Sequence, residues 1–244
     1  MLKILIIGGP VEQYIDKCLN SVMLQNYNNW EAQVVLDPFN DKSYEKALSW
    51  QNDKIKVHKN NSRLTALPNL LLATKLLNPF DDDVLITLDA DDWLYDSNSL
   101  SIVNSYYEKY PNLLLTHGSW EGYPFPNVNT NNAPYTEEEF KANIRKYPWR
   151  ASHLRTFKYK LWKLVKDEDL RDEHGLYYES AWDLAMMWPM LEMAGYERVK
   201  FIPEKLLVYN MENPNGDSIL RVKQQMYYTD YLARKDPYER LEIY

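Results

Sequence analysis

The sequence predicts an α/β fold with a mostly parallel central sheet that is covered by helices on both faces. Two observations carry this prediction. In the first half of the chain, short apolar runs typical of buried strands alternate with segments whose apolar residues recur at helical spacing. Parallel strands need long crossover connections, which are usually helices, so this alternation favours a parallel sheet. The chain also has 244 residues, 45% of them hydrophobic, which is enough for one large core and excludes a disordered chain.

Four strand and helix units are predicted in the first half. The predicted strands cover residues 2–7, 31–36, 54–58 and 83–88. The predicted helices cover residues 11–24, 43–50, 64–77 and 97–109. Glycine or acidic residues follow three of the strands directly, at Gly8, Asp37 and Asp89. Because ligands of parallel sheets bind beyond the carboxyl ends of the strands, we expect these three loops to form the functional site.

The second half of the chain has a less regular pattern. A strand over residues 113–116 is followed by residues 118–133, which are rich in Gly, Pro and Asn and predict a loop. Thr136 and Glu139 have the spacing of a capping box, which predicts the start of a helix. The remaining predicted elements are a helix over residues 182–193, a strand over residues 200–209 and a terminal helix over residues 217–234. No repeat, linker or change in composition divides the chain, so we expect a single domain over residues 1–244.

Charge and composition exclude several classes of protein. The formal net charge is −7, and an acidic chain repels phosphate backbones, so we expect no nucleic-acid partner. One cysteine, Cys18, can form neither an intrachain disulfide nor a thiolate metal site. No stretch approaches the roughly 18 apolar residues of a membrane span, and the apolar run after Met1 is too short for a signal sequence. We therefore expect a soluble, cytoplasmic protein without a transmembrane segment.

The strongest chemical signal is a group of acidic residues directly after the fourth strand. Asp89, Asp91 and Asp92 place three carboxylates within four residues, and such groups repel one another unless a cation lies among them. Mg²⁺ and Mn²⁺ prefer oxygen ligands, so a divalent metal site is one interpretation. An aspartate-rich turn that caps the following helix is the alternative, because Asp is a favourable N-cap residue.

The order of these features resembles the family-2 glycosyltransferases, which have the GT-A fold and use nucleotide-sugars. Residues 88–94 (LDADDWL) closely match the LDxDD motif of that family. Residues 34–41 occupy the place of its acidic loop VVDDGSTD, where Asp37 matches the second Asp and Leu36 replaces the first. Residues 61–69 are similar to the family's N-x-G-x-S-x-A-R-N stretch. The resemblance covers about residues 2–120 well and the rest loosely.

The resemblance implies roles for individual residues. Donor contacts are expected from Gly8, Gly9, Pro10, Asp37, Asn69, Asp89, Ala90 and Asp91. Asp37 would accept a hydrogen bond from the nucleobase, typically uracil, so a UDP-sugar is the expected donor. Asp91 would ligate an Mn²⁺ or Mg²⁺ ion at the donor diphosphate, and Asp89 would contact the ribose or a metal-bound water. A late histidine often serves the metal or the diphosphate in GT-A enzymes, which makes His153 the third expected ligand; a structural histidine is the alternative.

An inverting transferase also needs a base that deprotonates the acceptor hydroxyl. In the family this base is usually the Asp of a Glu-Asp pair at the start of a later helix. Residues 177–184 occupy that place without such a pair, so the expected base is Asp183, with Glu179 second. A plain first-turn acid is the alternative for Asp183.

Three further residues near these motifs have two interpretations each. Arg150 and Arg155 flank His153 and could meet phosphate oxygens or lie on the surface. Trp120 could stack on an acceptor sugar or pack in the core.

The resemblance implies a metal-dependent transferase that moves a sugar from a nucleotide-sugar to a hydroxyl of a glycan or other acceptor, with inversion. About residues 1–120 would bind the donor, and about residues 121–244 would form the acceptor side and the C-terminal helix. One alternative is a degenerate GT-A module that binds carbohydrate, which the missing Glu-Asp pair favours. Another is a sugar nucleotidyltransferase, but residues 8–13 lack the basic residue expected in its phosphate loop.

Overall fold

The computed structural model describes residues 1–216 and 220–242, and it confirms the α/β fold. The strands within this part of the chain are β1 (Leu2–Gly8), β2 (Trp30–Leu36), β3 (Ile55–Lys59), β4 (Val84–Asp89), β5 (Trp93–Leu94), β6 (Leu115–Tyr123), β7 (Arg155–Lys158) and β8 (Val199–Asn210). The helices are α1 (Ile15–Met23), α2 (Ser43–Ser49), α3 (Ala66–Leu77), α4 (Ser99–Lys109), α5 (Glu137–Lys141), α6 (Tyr159–Trp162), α7 (Trp182–Ala194) and α8 (Val222–Ala233). Short 3₁₀ turns cover residues 144–146, 167–170 and 196–198.

The strands form one sheet in the order β3-β2-β1-β4-β7-β6-β8-β5. The pairs β1–β2, β1–β4, β2–β3 and β6–β8 are parallel. β7 runs antiparallel to both β4 and β6, and β5 runs antiparallel to β8. In the register, Ile7 lies opposite Val35 on one side and Asp89 on the other. The carboxyl ends of β1, β2 and β4 therefore lie at one edge of the sheet, as the sequence predicts.

Alternate residues of β1 enter two different cores, because successive side chains of a strand point to opposite faces. Ile4 and Ile6 pack on the face that also buries Ile15 of α1. Leu5 and Ile7 pack on the other face, with Leu67 of α3 and the apolar residues of α7. Both faces of the sheet are thus covered, which explains why residues 4–7 of β1 form a continuous apolar run instead of alternating with polar residues.

The second half departs from prediction at its short or irregular strands. β6 continues to Tyr123, so residues 118–123 are strand and not the predicted loop. These residues pair with β8, with a bulge around Ser119. The pairing satisfies their backbone hydrogen bonds, and amino-acid composition alone does not reveal that such a partner strand is present. β5 and β7 have two and four residues, which is too short for a periodicity signal.

The C-terminal helix is expected to begin at residue 217, but residues 217–219 lie outside the described part of the chain. Within residues 220–242, α8 covers Val222–Ala233. Within residues 1–216 and 220–242, the structure contains no helix with the length and apolar character needed to cross a membrane.

Candidate active site

A cavity of about 240 Å³ lies where the carboxyl ends of β1, β2 and β4 meet the start of α7. Its wall contains every residue that the sequence analysis assigned to the site, except Ala90. These wall residues are Gly8, Gly9, Pro10, Asp37, Asn69, Asp89, Asp91, His153, Glu179 and Asp183. The structure therefore brings together residues that lie up to 175 positions apart in the chain, counting from Gly8 to Asp183 (183 − 8 = 175).

Ala90 does not line the cavity, because it packs behind the loop that follows β1. Its side chain is fully buried, and its backbone N–H donates to the carbonyl of Ile7 at 2.8 Å. A Cβ atom on Gly8 would lie only 2.8 Å from the Ala90 Cβ atom, so the ends of β1 and β4 approach too closely for any side chain on Gly8. Gly9 has φ of +133°, a backbone conformation that side-chain-bearing residues rarely adopt.

Asp37 anchors the segment before α3 as well as lining the cavity. It is 7% exposed, and its Oδ1 atom accepts hydrogen bonds from Asn60 Nδ2 at 2.8 Å and Leu64 N at 2.9 Å. Its Oδ2 atom accepts from Thr65 N at 3.0 Å. Thr65 has φ of +74°, which is strained for a β-branched residue. Since carboxylate oxygens have several lone pairs, Asp37 can still accept a bond from a ligand.

Asp91 and Asp92 follow β4 in different environments. Asp91 lies on the cavity wall, where its Oδ2 atom accepts from Asn213 Nδ2 at 2.7 Å. Asp92 is 1% exposed, and its Oδ1 atom accepts from the backbone N–H of Asn210 at 2.8 Å. Its Oδ2 atom is buried without a hydrogen-bond partner among the described residues. Burial, together with the charges of Asp91 and Asp89, raises the pKa of Asp92 well above its usual value. Burial also raises the pKa of Asp91.

The best-formed candidate metal site comprises Asp89, Asp92 and His153, whose ligand atoms lie within 4.8 Å of one another. This set contains Asp92, whereas the sequence analysis expected Asp91 as a ligand beside Asp89 and His153. The tight turn explains the difference, because Asp92 N donates to the carbonyl of Asp89 at 3.0 Å and brings residues i and i+3 together. A divalent cation fits this set, since it would satisfy the orphaned Asp92 Oδ2 atom and stabilise the ionised carboxylates.

His153 is held so that it remains neutral and able to bind a metal. Burial and the nearby Arg155 guanidinium lower the pKa of His153 well below its usual value. The ring stacks on Tyr209, with centroids 5.2 Å apart, and its Nδ1 atom lies 4.0 Å from Asp92 Oδ2. Metal ligation requires the neutral imidazole, so the environment of His153 agrees with a ligand role.

Asp183 lies in the first turn of α7 and faces Arg155. The N-cap residue of α7 is Ala181, which has a left-handed backbone with φ of +54° and provides no side-chain cap. Asp183 Oδ2 accepts a hydrogen bond from Arg155 Nη2 at 2.9 Å. The Asp183 side chain is 16% exposed and that of Arg155 is 3% exposed, so this ion pair is largely shielded from solvent.

Glu179 forms a second acid–arginine pair at the rim of the cavity. Its Oε2 atom accepts from Arg221 Nη1 at 2.5 Å, and its side chain is 45% exposed. The two candidate bases therefore differ in solvation: Asp183 lies inside the cavity wall, whereas Glu179 lies near bulk water.

Arg150 and Trp120 have structural roles in this chain. Arg150 forms two hydrogen bonds with Glu139, at 2.9 and 2.6 Å, and fixes the capped start of α5. The capping box between Thr136 and Glu139 is present, as predicted. Trp120 packs edge-on against Tyr209 at 5.1 Å and joins the core beside α1. Neither residue lines the cavity, whereas Arg155 does.

Several cavity residues carry no local sequence signal. They are Arg63, Thr65, Trp182, Tyr209, Asn213, Asn215, Arg221 and Gln225. Most belong to segments around α7, the end of β8 and α8, which reach the cavity only through tertiary packing. An Asn just after a long strand indicates a turn, but this pattern does not indicate a site residue, because the contact of Asn213 with Asp91 depends on the fold.

Comparison with known proteins assigns the chain to a family. The model of the family described as "Glycosyl transferase family 2" matches residues 10–164, which is more than half of the chain. The chain belongs to glycosyl transferase family 2. The family resemblance and the GT-A-like fold expected from the sequence are thereby confirmed. A search of curated protein sequences finds no match to this member of the family.

Solved glycosyltransferase structures share the fold of this family 2 chain. TarS from S. aureus (residues 1–349) in complex with UDP-GlcNAc has a TM-score of 0.67 and 18% identity, over 95% of this chain and 65% of that one. A second crystal structure of TarS residues 1–349 has a TM-score of 0.67 and 16% identity, over 95% of this chain and 64% of that one. The mannosyltransferase PcManGT from Pyrobaculum calidifontis, in complex with GDP-Man and Mn²⁺, has a TM-score of 0.69 and 16% identity, over 98% and 65%. The chain thus spans slightly less than two thirds of these structures.

Proposed function

We propose that this chain is a metal-dependent glycosyltransferase that transfers a sugar from a nucleotide-sugar to an acceptor hydroxyl with inversion. One observation carries the proposal: Asp89 and His153 of the candidate metal set, whose third member is Asp92, lie on the wall of the same cavity as a shielded acid, Asp183. Two similar folds support it, since TarS was solved with UDP-GlcNAc and PcManGT with GDP-Man and Mn²⁺.

Asp89, Asp92 and His153 would hold the Mn²⁺ or Mg²⁺ ion in this proposal, with Asp91 beside them on the cavity wall. When bound, the cation neutralises the charge that builds up on the leaving nucleoside diphosphate. The Asn213 side chain donates a hydrogen bond to Asp91, and the backbone N–H of Asn210 donates one to Asp92, so each acid is oriented by one contact from the chain itself.

The donor would bind between the loops after β1 and β2. Asp37 would accept a hydrogen bond from a nucleobase N–H, and Gly8 and Gly9 would let the donor approach the backbone closely. A UDP-sugar is the donor that the family resemblance favours. Most of these donor contacts come from residues 1–120, whereas the proposed base and His153 come from residues 121–244.

Asp183 is the better candidate for the base. Its side chain is 16% exposed, against 45% for Glu179, and a general base works best where bulk water does not compete for its lone pairs. Asp183 would accept the proton of the acceptor hydroxyl as that oxygen attacks the anomeric carbon. Attack on the face opposite the leaving diphosphate inverts the configuration at that carbon.

A donor-hydrolysis assay tests the proposal. The protein would be incubated with UDP-, GDP- and dTDP-sugars in the presence of Mn²⁺ or EDTA, and release of nucleoside diphosphate would be measured. We expect release from at least one donor with Mn²⁺ and none with EDTA. Binding of a sugar without release from any donor would instead support the carbohydrate-binding module that the missing Glu-Asp pair favours.

A further inference from the structure

We propose that Arg155 links the two halves of the transfer reaction, because one guanidinium both binds the leaving diphosphate and orients Asp183. This inference rests on the proposed function and assigns a role to a residue that the family motifs do not contain. Arg155 lies on the cavity wall together with Asp89, Asp91 and Asp183.

The backbone of Arg155 is fixed from both sides. It is the first residue of β7, and it lies opposite Thr87 of β4 and His117 of β6 in the sheet. Its side chain is 3% exposed, and the guanidinium carbon lies 5.1 Å from the centre of the Trp182 ring. The guanidinium of Arg155 is therefore positioned at the cavity by a central strand of the sheet and by tight packing around its side chain.

The contacts of the guanidinium leave capacity for a ligand. Nη2 donates to Asp183 Oδ2 at 2.9 Å, and the two Nη atoms lie 3.4 and 3.5 Å from the ring nitrogens of His153. The Nε atom is buried without a hydrogen-bond partner among the described residues. A guanidinium has five N–H donors, and a buried donor without an acceptor is unfavourable. The Arg155 guanidinium therefore has N–H donors that could bond to an acceptor supplied by a ligand.

The missing acceptor has the chemistry of a phosphate group. The planar guanidinium matches phosphate oxygens in geometry and charge. Arg155 lies beside His153, a member of the candidate metal set, so its guanidinium is next to the place where the leaving diphosphate is proposed to develop charge. It would therefore share that charge without losing its contact with Asp183.

The bond to Arg155 also orients the proposed base. Among the described residues, Arg155 is the only side chain that hydrogen-bonds to Asp183, and it uses the Oδ2 atom. The Oδ1 atom is then left for the acceptor hydroxyl. In the transfer step, the acceptor oxygen forms a bond to the anomeric carbon and its proton moves to Asp183. The bond from that carbon to the diphosphate oxygen breaks, and its electron pair leaves on the diphosphate.

Two measurements test this role. Calorimetry with UDP and Mn²⁺ reports the phosphate contact, and we expect Arg155→Gln to weaken binding about tenfold and Asp183→Asn to leave it unchanged. Hydrolysis of the donor that the wild type cleaves, at saturating concentration, reports the orientation of the base. Each single variant should lower kcat about 100-fold or more. The double variant should lose less than the product of the two single losses, because the part of the Arg155 effect that acts through Asp183 is already absent in Asp183→Asn.

Arg155→Lys and Arg150→Gln are the controls. Lysine keeps the charge but lacks the planar fork of donors with which a guanidinium contacts two acidic partners in fixed geometry, so Arg155→Lys should recover most of the UDP affinity and little of kcat. Arg150→Gln removes an arginine–acid pair outside the cavity and should change neither the UDP affinity nor kcat. UDP affinity of Arg155→Gln equal to the wild type, or a double variant whose loss equals the product of the single losses, would overturn the inference. A wild type that binds UDP but hydrolyses no donor would overturn the proposed function, and the affinity comparison would still decide the phosphate contact.

Discussion

The carboxylate of Asp92 lies 4.0 Å from the Nδ1 atom of His153, although 61 positions separate the two residues (153 − 92 = 61). The Asp92 Oδ2 atom has no hydrogen-bond donor among the described residues, and the imidazole is kept neutral by burial and by Arg155. A fully buried acid beside a neutral histidine is unfavourable by itself and favourable around a cation. This pair is the physical basis of the proposed metal site.

Replacing Asp92 should reduce metal binding and also remove a source of instability in the metal-free protein. Because the pKa of Asp92 is raised in the folded state, the protonated carboxyl favours folding and the ionised one opposes it. The stability that protonation contributes is therefore lost as pH rises above the unfolded-state pKa of 3.8. We predict that Asp92→Asn lowers Mn²⁺ affinity at least tenfold, while the EDTA-treated variant is no less stable than the wild type at pH 7. Mn²⁺ titration and urea unfolding measure the two effects.

Asp82→Asn is the matched control, since Asp82 is an exposed acid on the surface that pairs with Lys160 at 2.8 Å. It should leave Mn²⁺ affinity unchanged. Equal Mn²⁺ affinity in Asp92→Asn and the wild type would remove Asp92 from the ligand set.

Asp37→Asn should weaken nucleotide binding, because the amide loses charge and presents a donor where an acceptor is needed. We predict a loss of UDP affinity that corresponds to roughly 1.5–3 kcal/mol, measured by calorimetry. Asn60→Ala is the control: it disturbs the same loop by removing one bond to Asp37 but leaves the carboxylate in place. If the two variants lose the same affinity, Asp37 acts through the loop and does not contact the base.

Asp183→Asn and Glu179→Gln distinguish the two candidate bases. Both changes are nearly isosteric and remove the ability to accept a proton. We predict that Asp183→Asn lowers kcat about 10²–10⁴-fold with unchanged UDP affinity, and that Glu179→Gln has a small effect. Steady-state kinetics at saturating donor measure both. A large loss in Glu179→Gln alone would transfer the role of base to Glu179.

Gly8→Ala should destabilise the protein, because the new methyl group would lie 2.8 Å from the Ala90 Cβ atom. Overpacking of this kind costs about 1–3 kcal/mol. We predict that Ala90→Gly in the same chain restores part of the loss, since it removes the clashing atom. Urea unfolding of the two single variants and the double variant shows whether the losses are additive; full additivity would contradict the close approach of the two strand ends.

His117 should make the protein sensitive to acid. Burial lowers the pKa of His117 from 6.5 to about 4, so between these values the unfolded state binds a proton that the folded state does not. Stability is therefore lost as pH falls from 6.5 towards 4, by about 3 kcal/mol at most for this shift. We predict that His117→Phe, which keeps the ring packed between Tyr135 and Phe201, reduces this loss.

Urea unfolding at pH 7 and pH 4.5 measures the effect, with the exposed His174→Gln as control. If His117→Phe loses as much stability as the wild type between pH 7 and pH 4.5, His117 is not the source of the acid sensitivity.

Local sequence patterns predicted that the loops after three parallel strands lie together at one edge of the sheet. Gly8, Asp37 and Asp89 end neighbouring parallel strands, and the parallel register alone brings such positions to one edge. The LDADDWL motif and its place after the fourth strand were also sufficient to identify the family, which the match over residues 10–164 confirms.

Sequence patterns could not predict the contacts that depend on tertiary packing. Arg155 had two interpretations, and only the pairing of the short strand β7 with β4 and β6 places it inside the cavity. The proximity of Asp92 to His153 depends on the geometry of one tight turn. Residues 118–123 have the composition of a loop but form a strand because β8 pairs with them.

Crystals grown with Mn²⁺ and UDP test most directly whether one cavity holds the metal, the donor and the base. We predict an anomalous Mn²⁺ peak within ligand distance of Asp89, Asp92 and His153, with the UDP base at Asp37 and its diphosphate in contact with Arg155. A Mn²⁺ peak elsewhere, or UDP bound outside this cavity, would contradict the proposed function.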